Sequence, residues 1–382
     1  MQQVVFNIPV RTYMGSDALG RLGVEASAAG SRALLITGTN VTDTGLPARI
    51  EQILSGRGIS TIVFSGIGPD TTAEAADTAG KLAASGKVQM VIGLGGVKTL
   101  SIARAAALLA LSGLRVDDFL DGQRPVGEAL PYFNVPTACR DPFMFTDALM
   151  LTDGRNRSCS LPGTFGGYPE AVFIDPDTAS TIPASTFSFS IMETLMYAVE
   201  GYMSDQGNFL SENLFLKAIS AVVTSEQRLG ENTADREAFQ KAARAGLVTA
   251  MGLSMAGPGI GAATSMAISG RFRVPRVLAA AVMFPLSLEH CLKICPEKVA
   301  RLGPILNEDV QGLPSVEAAE RVIEKIRHRI GLKRVHVRLS EFGITIDDLS
   351  GIAESARKFE FTSQLPSPVS TEDLIRLLRK AL

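Results

Sequence analysis

The sequence predicts an α/β domain on a mostly parallel sheet, followed by an all-helical domain. Three observations predict it. Short, continuous apolar runs alternate with helix-like stretches through the first half, the pattern of a parallel sheet covered on both faces. Strand signals stop after FIDPDTASTIP, residues 173–183, and helical patterning fills the remainder. A length of 382 residues suits two or three domains of roughly 100–200 residues each. The boundary is placed at 1–182 for the α/β part and 183–382 for the helical part, with a cleft expected between them.

Taken in order, RALLITG (32–38) is a strand and LPARIEQILSGRG a helix; STIVFSGIG (60–68) is the next strand and TTAEAADTAGKLAASG the next helix. The strand VQMVIGLGG leads into a helix from about Thr99, and YFNVPTA is a further strand. Ligands of such sheets bind at the carboxyl ends of the strands. Those ends are Gly38-Thr39-Asn40, Gly66-Ile67-Gly68, Gly95-Gly96-Val97-Lys98 and Thr137-Ala138-Cys139. The second half reads as helices at 186–204, 211–229, 233–256, 260–270, 276–293, 315–330, 335–342, 346–357 and 371–381. Ser370 with Asp373 marks a capping box at the start of the last.

Composition narrows the partners. A formal net charge of −2 makes no electrostatic case for nucleic acid or an anionic membrane. Small molecules, anionic ones included, and a second copy of the chain in a homodimer are the expected partners. Residues 246–270 carry no charge, but Gly257-Pro258-Gly259 divides them, so two short buried helices are expected rather than a membrane span. The four cysteines lack metal-like companions, and His290, His328 and His336 form no ligand pair. This suggests a reducing, cytoplasmic setting, and the N-terminus lacks the build of a signal peptide. His290 and Cys291 read as helix packing.

Several stretches, in this order, resemble the iron-containing (group III) alcohol dehydrogenase family, relatives of glycerol dehydrogenase and dehydroquinate synthase. They are RTYMGSDALGRLG, FSGIGPDTT, AVFIDPDTASTIP, METLMYAVEGYMS and the final segment from LSEFGIT onward. The resemblance implies a dinucleotide-binding α/β domain, a divalent metal and hydride transfer. It places Glu193 and Tyr197 at the first two metal-ligand positions, Ala262 and Arg276 at the later two, and Met266 at a proton-relay histidine. An alanine offers no donor, and an arginine repels a cation and keeps its proton. No metal is therefore expected.

The cofactor loop departs from the family's pattern too. Gly95 and Gly96 remain, and Lys98 is placed to meet a phosphate, but Val97 would strain the turn if its φ were positive. Arg140, Asp141 and Phe143, following Thr137, add bulk and charge where the dinucleotide would lie. Gly38, where family members often carry an acid, hints at NADP, and NAD(P)H is expected to bind weakly or not at all. Three readings stay open: a repurposed metal-independent enzyme, either non-redox or an NAD(P)H-dependent reductase; a catalytically silent ligand-binding or partner scaffold; and a metal-dependent dehydrogenase. Glu193, Tyr197 and Arg276 are the candidate catalytic set, with the alternative reading of a salt bridge that plugs the former metal position. Gly38, Gly95, Gly96, Lys98 and Thr137 are the candidate cofactor set.

Overall fold

A computed structural model describes residues 4, 6–67, 72–138, 140–333, 338–365 and 367–382. Part of FSGIGPDTT, Gly68, Cys139, His336 and the start of the helix expected over 335–342 lie outside them. The chain divides into two compact units. One comprises Asn7–Phe187 with Asn232–Ala250, the other Ser188–Glu231 with Met251–Leu382.

The first unit holds β1 (Arg11–Met14), β2 (Arg32–Thr37), β3 (Ser60–Phe64), β4 (Met90–Gly95), β5 (Tyr132–Pro136), β6 (Leu151–Asp153), β7 (Ser158–Ser160) and β8 (Ala171–Ile174). Six of these form one sheet in the order β1-β8-β5-β4-β2-β3, every neighbouring pair parallel. The buried runs explain the order. β4, β5 and β8 are buried at every position, whereas the edge strands β1 and β3 keep exposed residues. From β2 the chain steps outward to β3, then returns to the other side of β2 as β4. The crevice between β2 and β4 is therefore the topological switch point, where such sheets bind ligands. The antiparallel hairpin β6–β7 was not visible as a sequence pattern, because its strands have three residues each.

The helices here are α1 (Leu22–Ala29), α2 (Leu46–Ser55), α3 (Thr72–Ser85), α4 (Val97–Leu109), α5 (Val116–Leu120) and α6 (Pro176–Ala179). Then come α7 (Ala184–Met203), α8 (Phe209–Glu231) and α9 (Arg236–Leu253), followed by α10 (Ile260–Arg271), α11 (Arg276–Leu292), α12 (Pro296–Ala300), α13 (Ser315–Gly331), α14 (Leu349–Arg357) and α15 (Thr371–Ala381). α4 begins two residues before the expected Thr99. The uncharged 246–270 stretch is the end of α9, a turn at Gly257-Pro258-Gly259, and most of α10, whose residues Ile260–Ile268 are all buried. Among the described residues no helix is long and apolar enough to cross a membrane. Ser370 and Asp373 exchange hydrogen bonds at the start of α15, which closes the expected capping box.

Candidate active site

In the second unit, α7 presents Glu193 and Tyr197 one turn apart on one helix face. Arg276 opens α11 directly after Pro275, whose fixed φ suits the entry to a helix. Arg276 Nη1 stands 2.8 Å from Glu193 Oε1, and the same nitrogen donates to Tyr197 Oη at 2.5 Å. The guanidinium carbon lies 5.8 Å from the centre of the Tyr197 ring, within cation–π range. The Glu193 side chain has 0% exposure and Arg276 keeps 10%, so solvent reaches the cluster through the guanidinium. Ala262 and Met266, on α10, are buried. Among the described residues no group of three or more His, Cys, Asp or Glu side chains is placed to hold a metal ion.

Sequence reasoning missed Glu200, one turn beyond Tyr197 on α7. Its carboxylate accepts the backbone N–H groups of Gly259 at 3.0 Å, Gly261 at 2.6 Å and Ala262 at 3.0 Å. These are donors at the amino end of α10, which no earlier residue of that helix can satisfy. A Cβ at Gly261 would stand 2.6 Å from Glu200, so glycine is required for the approach. Burial pushes the Glu200 carboxyl above its ordinary pKa, while Ser287 and these backbone donors pull the other way. Its signal in the sequence was an acid inside the apolar run MYAVEGYM.

In the first unit, the five candidate cofactor residues lie at the strand ends or at the start of α4. Gly38 follows β2 and donates its N–H to Leu94 O at 3.4 Å; Thr137 N donates to Gly95 O at 3.0 Å. Gly95 has φ +154°, which favours glycine, and Gly96 is the exposed residue before α4. Added Cβ atoms at Gly38 and Gly95 would stand 2.6 and 2.9 Å from Thr99, whereas one at Gly96 meets nothing within 4 Å. The backbone at Gly96 is therefore open to a ligand, and Gly96, as the residue before α4, has no side chain of its own to cap it. Lys98 is half-buried in the first turn of α4.

Two sequence expectations change here. Val97 is the first residue of α4, without a positive φ, so it strains nothing and packs inward. Arg140, Asp141 and Phe143 are buried, and Asp141 accepts from Asn134 Nδ2 at 2.8 Å and Phe143 N at 3.0 Å. Their bulk is thus turned into the protein. A Cβ at position 38 would crowd the Thr99 hydroxyl, so glycine suits the packing there.

A second missed residue, Arg104 on α4, is buried beneath this segment. Its Nε donates to Gly167 O at 2.7 Å, Nη1 to Ala148 O at 2.8 Å and Phe143 O at 3.3 Å, and Nη2 to Thr146 O and Thr164 Oγ1 at 3.0 Å. Burial lowers the Arg104 pKa, opposed mainly by the Asp141 carboxylate. One guanidinium thereby fastens α4 to the 143–167 segment.

Gly-rich strand ends at a switch point are joined in sequence to a helical unit with a polar cluster on α7 and α11. The family described as iron-containing alcohol dehydrogenase matches residues 9–176, and its C-terminal counterpart, the Fe-containing alcohol dehydrogenase family, matches 188–382. The chain belongs to the iron-containing alcohol dehydrogenase family. It is 24% identical over 377 residues to long-chain-alcohol dehydrogenase 1 of Geobacillus thermodenitrificans, covering 97% of this chain and 94% of that one. It is 21% identical over 375 residues to the lactaldehyde reductase of Escherichia coli K12, covering 97% of both. Among solved structures, an archaeal halo-thermophilic Red Sea brine pool alcohol dehydrogenase superposes with a TM-score of 0.93 at 21% identity over 100% of both chains. The sulfoacetaldehyde reductase of Bifidobacterium kashiwanohense, in complex with NAD+, gives 0.85 at 18% identity, covering 100% of this chain and 99% of that one.

Proposed function

We propose that this chain is a metal-independent reductase of small carbonyl compounds, in which the Arg276 guanidinium takes the role of a divalent ion as electrophile. One observation carries the reading: the guanidinium bound to Glu193 and Tyr197 at 2.8 and 2.5 Å. The family's metal does not fit this donor set. A permanently charged guanidinium already holds the carboxylate, Tyr197 is a poor ligand at neutral pH, and Ala262 has no donor atom.

A guanidinium can do electrostatically what the ion would do. It polarises a carbonyl oxygen and stabilises the alkoxide that develops on it. Glu193 fixes its orientation and balances its charge. Tyr197 accepts from Arg276 and carries a phenolic proton to pass to the alkoxide. The open backbone at Gly96 and the switch-point position support binding of a nucleotide phosphate at the start of α4. A reduced nicotinamide nucleotide, when bound, supplies the hydride. Relatives named for lactaldehyde and sulfoacetaldehyde support a small, oxygen-rich substrate, and an anionic one suits Arg276. A homodimer in a reducing, cytoplasmic setting completes the reading.

The test is purification without chelator, elemental analysis, calorimetric titration with NADPH and NADH, and turnover of small aldehydes with EDTA present. Expected are no stoichiometric iron or zinc, measurable binding of a nucleotide, and EDTA-resistant turnover that Arg276→Met abolishes without loss of nucleotide binding. A stoichiometric ion, or activity lost to EDTA, would overturn metal independence. Absence of both nucleotide binding and turnover would overturn the reductase and leave a silent scaffold.

A further inference from the structure

Three cysteines lie among the described residues, Cys159, Cys291 and Cys295, none of them in a disulfide. Two are neighbours at the end of α11. Cys295 N donates to Cys291 O at 2.8 Å, so the helical path persists up to Cys295. Four residues along such a path separate the Cα atoms by about 6 Å, within the range that a disulfide spans. The chain then leaves the helix at Cys295, with φ −141° and ψ 60°, before Pro296 begins α12. This departure gives the second sulfur freedom that a mid-helix pair lacks.

The two thiols have unequal surroundings. Cys291 is buried, at 8% exposure, while Cys295 is half-buried and reachable. The neighbouring Cys291 thiol lowers the Cys295 pKa, and Lys298 acts in the same direction; the Cys295 thiol, with burial, raises Cys291 well above its ordinary value. A reachable thiol with the lower pKa beside a buried one is the arrangement of an attacking and a resolving cysteine.

We propose that Cys291 and Cys295 form a peroxide-sensitive dithiol, with Cys295 the thiol that attacks and Cys291 the one that resolves. The Cys295 thiolate attacks one oxygen of hydrogen peroxide, forming the S–O bond of a sulfenic acid while the O–O bond breaks and hydroxide leaves. Cys291 then gives up its proton and attacks the Cys295 sulfur, forming the disulfide as the sulfenic oxygen departs as water. Two thiols are oxidised by two electrons in total, and one peroxide is reduced to two waters. The pair is not isolated from the rest of the unit. The Glu200 charge acts on Cys291, and Glu200 holds the start of α10, so the disulfide forms next to the anchor of that helix.

The experiment treats the full chain with hydrogen peroxide and maps its peptides by mass spectrometry, with and without dithiothreitol. Expected is a peptide containing Cys291 and Cys295 that loses two hydrogens, regained on reduction. In Cys291→Ser, a dimedone adduct should accumulate on Cys295. In Cys295→Ser, Cys291 should stay reduced, and in the parent Cys295 should alkylate at least about tenfold faster than Cys291. Over-oxidation of Cys295 with no disulfide would overturn the resolving role. A reduced pair in protein oxidised elsewhere, or equal alkylation of the two, would overturn the proposal.

Discussion

Replacing Arg276 by alanine tests how the α7–α11 cluster is held together. At 2.8 Å the two charges attract by about 6 kcal/mol at the effective dielectric of a site near the protein surface. Against this stands the desolvation of both ions, several kcal/mol each. In Arg276→Ala the attraction disappears, but the desolvation of Glu193 remains, because its side chain has 0% exposure. The expected cost is about 3–5 kcal/mol. In Arg276→Met with Glu193→Leu, both ions leave and apolar volume fills their place, so that variant should fall within about 1 kcal/mol of the parent. Tyr197 loses its donor in both and does not distinguish them. Urea midpoints followed by circular dichroism at neutral pH rank the three proteins. A single variant as stable as the double one, or one that costs less than about 1 kcal/mol, would refute the argument.

Further predictions concern two residues that hold helix ends and segments. Burial raises the Glu200 carboxyl, so the folded state binds the proton more tightly than the unfolded one. The associated stability is full below the unfolded pKa and is lost as pH rises through the folded value. Glu200→Gln should therefore flatten the fall in thermal midpoint above about pH 4.5, and equal slopes in parent and variant would contradict it. Glu200→Ala should cost at least about 3 kcal/mol, since three backbone donors lose their acceptor. Arg104→Met should likewise cost at least about 3 kcal/mol and speed proteolysis within residues 143–167. Arg104→Lys should not restore protection, because one ammonium cannot replace three nitrogens fixed in a plane.

The strand–helix alternation and the long helices were legible because their cause is local. Continuous apolar runs are what a two-sided parallel sheet needs, and Gly257-Pro258-Gly259 breaks a helix wherever it stands. The Glu193, Tyr197 and Arg276 set was legible through family resemblance, since its members are 79 to 83 residues apart at their extremes, and no spacing rule joins them. Glu200 and Arg104 were missed for a related reason. Each looks like a charged interruption of an apolar helix, and most of its partners are backbone groups tens of residues away, which carry no side-chain signature.

What the sequence determined by itself, then, was the order and kind of elements, the glycine strand ends and the choice of Glu, Tyr and Arg. Those follow from periodicity, turn chemistry and residue type, which act over a few positions. Tertiary structure alone decided which way the side chains face. It turned Asp141 and Phe143 inward, set Val97 in the first turn of α4, packed Gly38 against Thr99, and brought the Arg276 guanidinium onto Glu193. The physical reason is that a buried polar group must find a partner wherever the chain supplies one, and only the folded chain says which groups are near.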